Sequence, residues 1–288
     1  MRNHRNHWPT LFAVILVTAS LPLITGGGWI VSARIVQEQT KPALTPLQLA
    51  IEKQRQRLNS SEIEVRRDAL MQLRAMQRPE ASRVALAALN DLVPIVRATA
   101  TAAVLWLPPD ESAASLIPLL SDKEEFVRQQ AAYALGQTGS RSAVNPLIDS
   151  LADKQDSVRG AAVVALGQIA DATAVTSLAA ILNPQGLTPT KKGKKSGREQ
   201  NAFVLRAAAR SLGQIGDRAG LPALINVMQD EKLADDVRRE AAGALGSIGD
   251  PAAVPALRVA ETARDPYLAE AAHEAIRKIS RLPAQRGI

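Results

Sequence analysis

Val127–Ser140 reads VRQQAAYALGQTGS, Val158–Asp171 reads VRGAAVVALGQIAD and Val237–Asp250 reads VRREAAGALGSIGD. The Val-Arg pair that opens them also stands at Val65-Arg66 and Val96-Arg97, so the first four copies begin at positions 65, 96, 127 and 158, a constant step. Altered copies follow at Val204, after a longer interval, and then at Val237-Arg238 and Leu268, close to the original step. Eight residues beyond each lies an apolar side chain: Leu73, Val104, Leu135, Leu166, Leu212, Leu245 or Ile276. A register held through seven units at this period means stacked supersecondary units, each burying its apolar face only against its neighbours.

Within a unit the spacing predicts two helices. The first places apolar residues at i, i+4 and i+8, as in Val127, Ala131 and Leu135, with alanines between them for close approach. Gly139, Gly216 and Gly249 stand where a helix C-terminal glycine belongs, and Ser140, Asp217 and Asp250 follow as caps for the turn. The second helix carries an i, i+3, i+4, i+7 stripe, Val144/Leu147/Ile148/Leu151 in one unit and Leu221/Leu224/Ile225/Met228 in another. No segment alternates like a strand. Thr45-Pro46-Leu47-Gln48 reads as a capping box opening a helix over 45–58, with Leu47, Ala50, Ile51 and Leu58 on its buried face. The expectation is an all-α chain: a right-handed α-solenoid of about seven helix pairs over 45–282, begun by that capping helix and ended by a tail over 283–288.

The 288 residues contain no cysteine and three histidines, two of them (His4, His7) within the first ten positions. Disulfide scaffolds, zinc–cysteine sites and cysteine nucleophiles are excluded, as is most imidazole chemistry. Aromatics make up 3%, too few for a base-stacking platform. The net charge of +7 sits in two short segments, +3 over 1–43 and +4 over 184–200, which leaves the rest neutral. A DNA-binding array is expected to carry a basic stripe along its body; neutrality argues against nucleic acid as a partner.

Residues 1–10 form a basic flank, and from Pro9 to Ala33 there is no charged side chain. Trp8 and Trp29 would be separated by about 32 Å along a helix, which matches the roughly 30 Å hydrocarbon core and places both indoles in the headgroup belts. Residues 11–33 therefore read as a single-pass transmembrane anchor, with the body on the trans (periplasmic or lumenal) side and a linker over 34–44. A cleaved signal peptide ending near Val31-Ser32-Ala33 is the rival reading, favoured by Pro22 and the Gly26-Gly27-Gly28 run.

The pattern D-x₄-V-R-x₂-A-x₃-L-G-x-I-G-D, clearest at Asp122–Ser140 and Asp153–Asp171, resembles the HEAT-repeat family, specifically its short variety named after the phycobilisome bilin lyases. The resemblance covers about three quarters of the chain. It implies a ladder in which recurrent aspartates and arginines link neighbouring repeats, here Asp91, Arg97, Asp122, Arg128, Asp153 and Arg159. Three functional branches of such proteins bear on this chain. The deoxyhypusine hydroxylases hold two irons with several His-Glu pairs, whereas this chain has only His273-Glu274, with Ala242-Gly243, Ala209-Arg210 and Val163-Val164 at the matching positions. A di-iron site needs more ligands than that, so His273 reads as a surface residue and no metal or cofactor is expected. The DNA-glycosylase-like members use a basic, aromatic surface that this chain lacks. The bilin lyases attach a chromophore to a partner's cysteine, so an absent cysteine does not exclude them, but no lyase-specific motif is present.

The second helices present an exposed column, Ala87, Pro118, Asp149, Ala180, Asn226 and Val259, and beside it Asn90, Ser121, Ala152, Asn183 and Gln229. These are small and mostly uncharged, with no carboxylates paired at catalytic spacing. Such a concave groove suits a helix or extended segment of another protein, with Asp149, Asn226 and Gln229 as candidate contacts, and equally a solenoid whose concave face holds no ligand. An insertion over 183–203 lengthens its unit and carries Lys191, Lys192, Lys194, Lys195 and Arg198. It lacks the glycine spacing of a nucleotide loop and reads either as a solvated, disordered loop or as a contact to anionic lipid or an acidic partner. The function expected is a membrane-anchored, non-enzymatic scaffold or assembly factor for a membrane complex. The alternatives are a bilin-lyase-like factor and a secreted soluble adaptor.

Overall fold

A computed structural model of the chain describes residues 44–183 and 201–281. Those residues form fourteen α-helices and no strand. α1 (Pro46–Arg57) begins the array. The Gln48 amide donates to Thr45 Oγ1 at 3.3 Å and the Thr45 amide donates to Gln48 Oε1 at 2.8 Å, so two orphan N–H groups are satisfied reciprocally. Its buried residues are Ile51 and Gln54. Leu47, expected on that face, is 40% exposed because it falls in the first turn, beyond the edge of the packed surface.

Six helix pairs follow: α2 (Ile63–Ala75) with α3 (Pro79–Ala85), α4 (Pro94–Ala103) with α5 (Pro109–Leu116), α6 (Glu125–Thr138) with α7 (Val144–Ser150), α8 (Asp156–Ile169) with α9 (Val175–Leu182), α10 (Ala202–Ile215) with α11 (Leu221–Gln229), and α12 (Asp235–Ile248) with α13 (Val254–Ala260). α14 (Pro266–Arg281) is a seventh first helix. Among the described residues it has no second helix, so six pairs and a lone helix stand where about seven pairs were expected. The register residues form the core except Val65, which is half-buried in the first pair. Val96, Val127, Val158, Val204, Val237 and Leu268 are buried, as are Leu73, Val104, Leu135, Leu166, Leu212 and Leu245. Ile276 is only partly buried, since α14 has no further first helix to pack on.

The turns obey the residue chemistry. Gly139, Gly216 and Gly249 end their helices at φ of +65°, +75° and +75°, a conformation in which a Cβ is strained. Asp171, Asp217 and Asp250 each accept the amide two residues on, at 2.8–2.9 Å, and so cap the short 3₁₀ turn into the next helix.

First helices stack at a separation that only glycine permits. A Cβ on Gly136 would lie 2.7 Å from Ala165 Cα, one on Gly213 2.9 Å from Ala244 Cα, and one on Gly246 2.7 Å from Ala275 Cα. The same register position holds Leu105 in α4's unit and Arg74 in α2. α4 accordingly packs far less extensively on α6 than α6 does on α8. It also stops early, at ten residues against fourteen for α6, ahead of Pro108-Pro109. Its terminal carbonyls are taken up by two buried serines: Ser82 Oγ donates to Ala103 O at 2.7 Å and Ser112 Oγ to Val104 O at 2.9 Å, which satisfies groups that a helix end otherwise orphans.

Among the described residues no helix is long and apolar enough to cross a membrane. The anchor read over 11–33, with Trp8 and Trp29, lies outside the described residues, as does the basic run from Lys191 to Arg198.

Two glycines of α12 separate close packing from helix propensity. A Cβ on Gly243 would meet nothing within 4 Å, whereas one on Gly246 would meet Ala275 backbone. Gly246→Ala should lose about 1–3 kcal/mol, and Gly243→Ala should gain up to about 1 kcal/mol. Thermal melts followed by circular dichroism will show midpoints displaced in opposite directions; shifts of the same sign would mean that α12 and α14 are not seated on that glycine.

Candidate functional site

The charged groups nearest the core are engaged with one another. Arg66 holds Asp91 through two bonds of 2.8 and 3.0 Å, Arg97 holds Asp122 at 2.7 and 2.8 Å, and Arg128 holds Asp153 at 2.7 and 3.1 Å. Each pair joins consecutive units. The other edge of the guanidinium reaches the main chain of its own unit: Arg97 Nη1 donates to Asp91 O at 2.8 Å and Arg128 Nη1 to Asp122 O at 2.9 Å. Each aspartate also accepts an amide two residues on, from Val93, Glu124 and Gln155. Asp91 and Arg97 therefore never meet side chain to side chain, and the bond runs on to the next unit. Both edges of each guanidinium are in use, which leaves these arginines poorly placed to hold an anion.

Arg66 completes the first rung, and the aspartate–arginine offset within a unit gave no sign of it, because Ser60 stands six residues before it in place of an aspartate. Arg159 forms no such rung among the described residues. It turns to the carboxylate of Asp156 and to Asp153 O. At the offset that separates Arg97 from Asp122 and Arg128 from Asp153, Pro184 follows Arg159. Beyond it the pairing moves outward, to Arg206–Asp236, Arg210–Glu240 and Arg239–Asp265. Arg239 also lies 4.9 Å from the centre of the Tyr267 ring, a cation–π distance.

Burial pushes the Asp122 carboxyl up, but the Arg97 hydrogen bond, the Glu124 amide and the neighbouring positive charge outweigh it and hold the group below the usual carboxylate range. Asp153 is held down in the same way against its own burial, by Arg128 and the Gln155 amide. Conversely, the hydrogen bond to Asp122 raises Arg97.

The second helices carry the candidate contact residues. Asp149 on α7 and Asn226 and Gln229 on α11 are exposed, as are Ala87, Asn90, Pro118, Ser121, Ala152, Asn183 and Val259, while Ala180 is half-buried. Between α9 and α11 lies a shallow groove of about 280 Å³, with Ala180, Asn183, Pro222 and Asn226 on its walls. Among the described residues no titratable group lines it. Asn226 is thus in the groove, and Asp149 and Gln229 stand outside it.

A larger concavity, about 520 Å³, opens on the first-helix side at the early end of α4. Met71, Arg74 and Gln77 form one wall, Leu105 and Trp106 the floor and Gln137 of α6 the far side. Met71 and Trp106 remain 51% and 43% exposed. None of the residues expected to make contacts lies in this cleft. Its signal in the sequence was a departure, with Leu105 and Arg74 standing where Gly136, Gly167, Gly213 and Gly246 stand in other units.

No cluster of three or more histidine, aspartate or glutamate side chains that could hold a metal occurs among the described residues. His273 lies on the surface with its Nδ1 2.8 Å from Glu261 Oε1. The arrangement offers shape and amide hydrogen bonds, which suits recognition of another chain.

A family model described as HEAT repeats matches residues 51–136, 113–186 and 198–277. No curated relative matches by sequence. Among solved structures, the chain is similar to the complex of CpcE and CpcF of phycocyanin lyase from Nostoc sp., with 23% identity, 88% of this chain and 100% of that chain covered, and a TM-score of 0.46. It is also similar to the Escherichia coli protein YibA (18% identity, 84% and 99% covered, TM-score 0.49). Human deoxyhypusine hydroxylase matches at 18% identity over 81% of this chain and 96% of that one, with a TM-score of 0.36.

The ladder makes a pH-dependent prediction. A carboxyl whose folded pKa is depressed stabilises the fold above its unfolded pKa, near 4, and this contribution is lost as pH falls through the folded value. Arg97→Met should cost about 1.5–3 kcal/mol at pH 7, and the deficit should narrow below about pH 4 as Asp122 protonates in both proteins. Urea melts at pH 7 and pH 3 measure the two gaps; a gap independent of pH would show that Arg97 acts by packing and not through the ionised Asp122.

Proposed function

The chain belongs to the HEAT-repeat family, and we propose that it is a protein-binding scaffold, or assembly factor, for a membrane complex, taking a helix or extended segment of its partner along the second helices. Stacked repeats offer a long continuous surface for such a segment. The observation that carries the reading is the run of exposed, small and mostly uncharged side chains on the second helices, deepening into the groove at Asn183 and Asn226. A surface with few charges binds largely by shape and amide pairing, which suits a specific protein segment better than a polyanion.

The membrane part of the proposal rests on the uncharged stretch from Pro9 to Ala33, bracketed by Trp8 and Trp29. It would place the scaffold beside its client, on the trans side. The lysines at 191, 192, 194 and 195 with Arg198 would then face anionic headgroups, each contributing about 1 kcal/mol near such a surface.

The test is purification of the full chain from gently solubilised native membranes, with a photo-cross-linking residue at position 149. The expected result is a cross-link to one membrane complex, lost in Asn226→Trp, which fills the groove. Partner retention on isolated membranes should fall in 0.5 M salt and fall less in a chain lacking 184–200. Recovery of soluble proteins alone would overturn the membrane-complex reading, and cross-links unaffected by Asn226→Trp would overturn the groove.

A further inference from the structure

We infer that the cleft at Trp106 is a second docking site, on the first-helix side, for an acidic segment of another protein that carries a bulky apolar side chain. This inference rests on the reading of the chain as a protein-binding array but uses a different face, so it can be tested without the native partner.

Its floor is apolar and left uncovered. Leu105 occupies the position at which other units have a glycine, and α4 ends a turn early, so Trp106 and Met71 face an opening where continued helix packing would have closed over them. A tryptophan 43% exposed at the base of a concavity is the residue type and setting in which interface energy concentrates, and aromatic pairing there adds to area burial. The cleft is also open along one side, with Met71 51% exposed, and does not enclose a small molecule to the extent, roughly 70–90%, that such ligands need. A side chain inserted from a bound segment fits that geometry.

Charge selects the flanks of the segment. Among the described residues the one charged side chain lining the cleft is Arg74, and no carboxylate lines it. Every rung arginine of the N-terminal units has an acidic partner. The Arg74 side chain has no hydrogen bond or ion pair among the described residues, and neither has that of Arg78 four positions on. An exposed guanidinium with no internal acid, at an apolar floor with the amides of Gln77 and Gln137 at its edges, complements a peptide bearing aspartate or glutamate next to phenylalanine, leucine or tryptophan. Arginine's fork meets a carboxylate with two bonds, so such a segment would be held by its acid and anchored by its apolar residue.

The experiment is selection of random twelve-residue peptides on phage against the purified full chain, followed by anisotropy titration of the winners as labelled synthetic peptides. The expected winners place an acidic residue within a few positions of a bulky apolar one, and they should bind at least about tenfold more weakly to Arg74→Glu and to Trp106→Ala. Arg74 and Trp106 are exposed, so both variants should keep the parental circular dichroism and melting. Arg74→Glu should in turn select peptides carrying lysine or arginine in place of the acid. Winners without acidic residues, winners that bind both variants as tightly as the parent, or no winners at all would overturn the inference. So would self-association of the full chain that Trp106→Ala abolishes, since a second copy would then be the occupant.

Discussion

The contact between Gly136 and Ala165 governs how the array is built. With 2.7 Å between a would-be Cβ and the facing Cα, the two first helices approach backbone to backbone, and the same contact recurs at Gly213 and Gly246. That separation sets the rise between α6 and α8, across which Arg128 reaches Asp153 at 2.7 Å, but the rungs do not depend on it: Arg97 reaches Asp122 at 2.7 Å across an interface where Leu105 stands in place of the glycine. Those side chains are only about 10% exposed, so much of the Coulomb attraction offsets lost hydration. Glycine packing and buried leucines supply the stability, and the ladder contributes register.

The insertion shows what happens when the register is interrupted. A rung joins an arginine to an aspartate at one fixed offset after it, as in Arg97–Asp122 and Arg128–Asp153, and Pro184 stands at that offset from Arg159. Arg159 folds back on Asp156, Leu205 replaces the arginine of the next unit and is buried, and the later units pair Arg206 with Asp236 and Arg210 with Glu240 farther out. Yet Gly167 still packs on Ser211 across the insertion. Apolar stacking persists where the ionic spacing fails, because burial is non-directional whereas a bidentate pair is strict in geometry.

What could be read from the residues alone follows from the same distinction. Every unit meets the same neighbours, so the core valines, the leucines eight residues on and the capping glycines recur visibly, and the helix order follows from them. The rungs were harder. Asp91 and Arg97 keep a constant offset in sequence, but their side chains serve different units, and the offset alone does not say which carboxylate an arginine reaches. Arg66 gave no sign because Ser60 stands before it where Arg97, Arg128 and Arg159 have aspartate. The contact faces were legible only as columns: Asn226 lies in a groove and Asp149 does not, since groove depth depends on how far apart α9 and α11 sit. The cleft at Trp106 was the least legible feature because it arises from a glycine that is missing, and a motif search rewards matches.

That missing glycine also makes the array uneven. In a linear stack, stability is a sum of unit terms and nearest-neighbour terms, and the α2–α4 and α4–α6 interfaces, lacking the close glycine contact, pack least extensively among the first helices. Opening should therefore begin where the cleft lies. A segment bound there would touch α2, the end of α4 and α6 together, and so would add to those two interfaces. Ligand that binds only the closed stack raises stability by mass action, which couples occupancy of the cleft to the persistence of the two N-terminal units. Their second helices, α3 and α5, belong to the same run of exposed side chains as the groove at Asn226, so loosening at α4 would weaken one end of that run while the glycine-packed units beyond α6 held the rest in place.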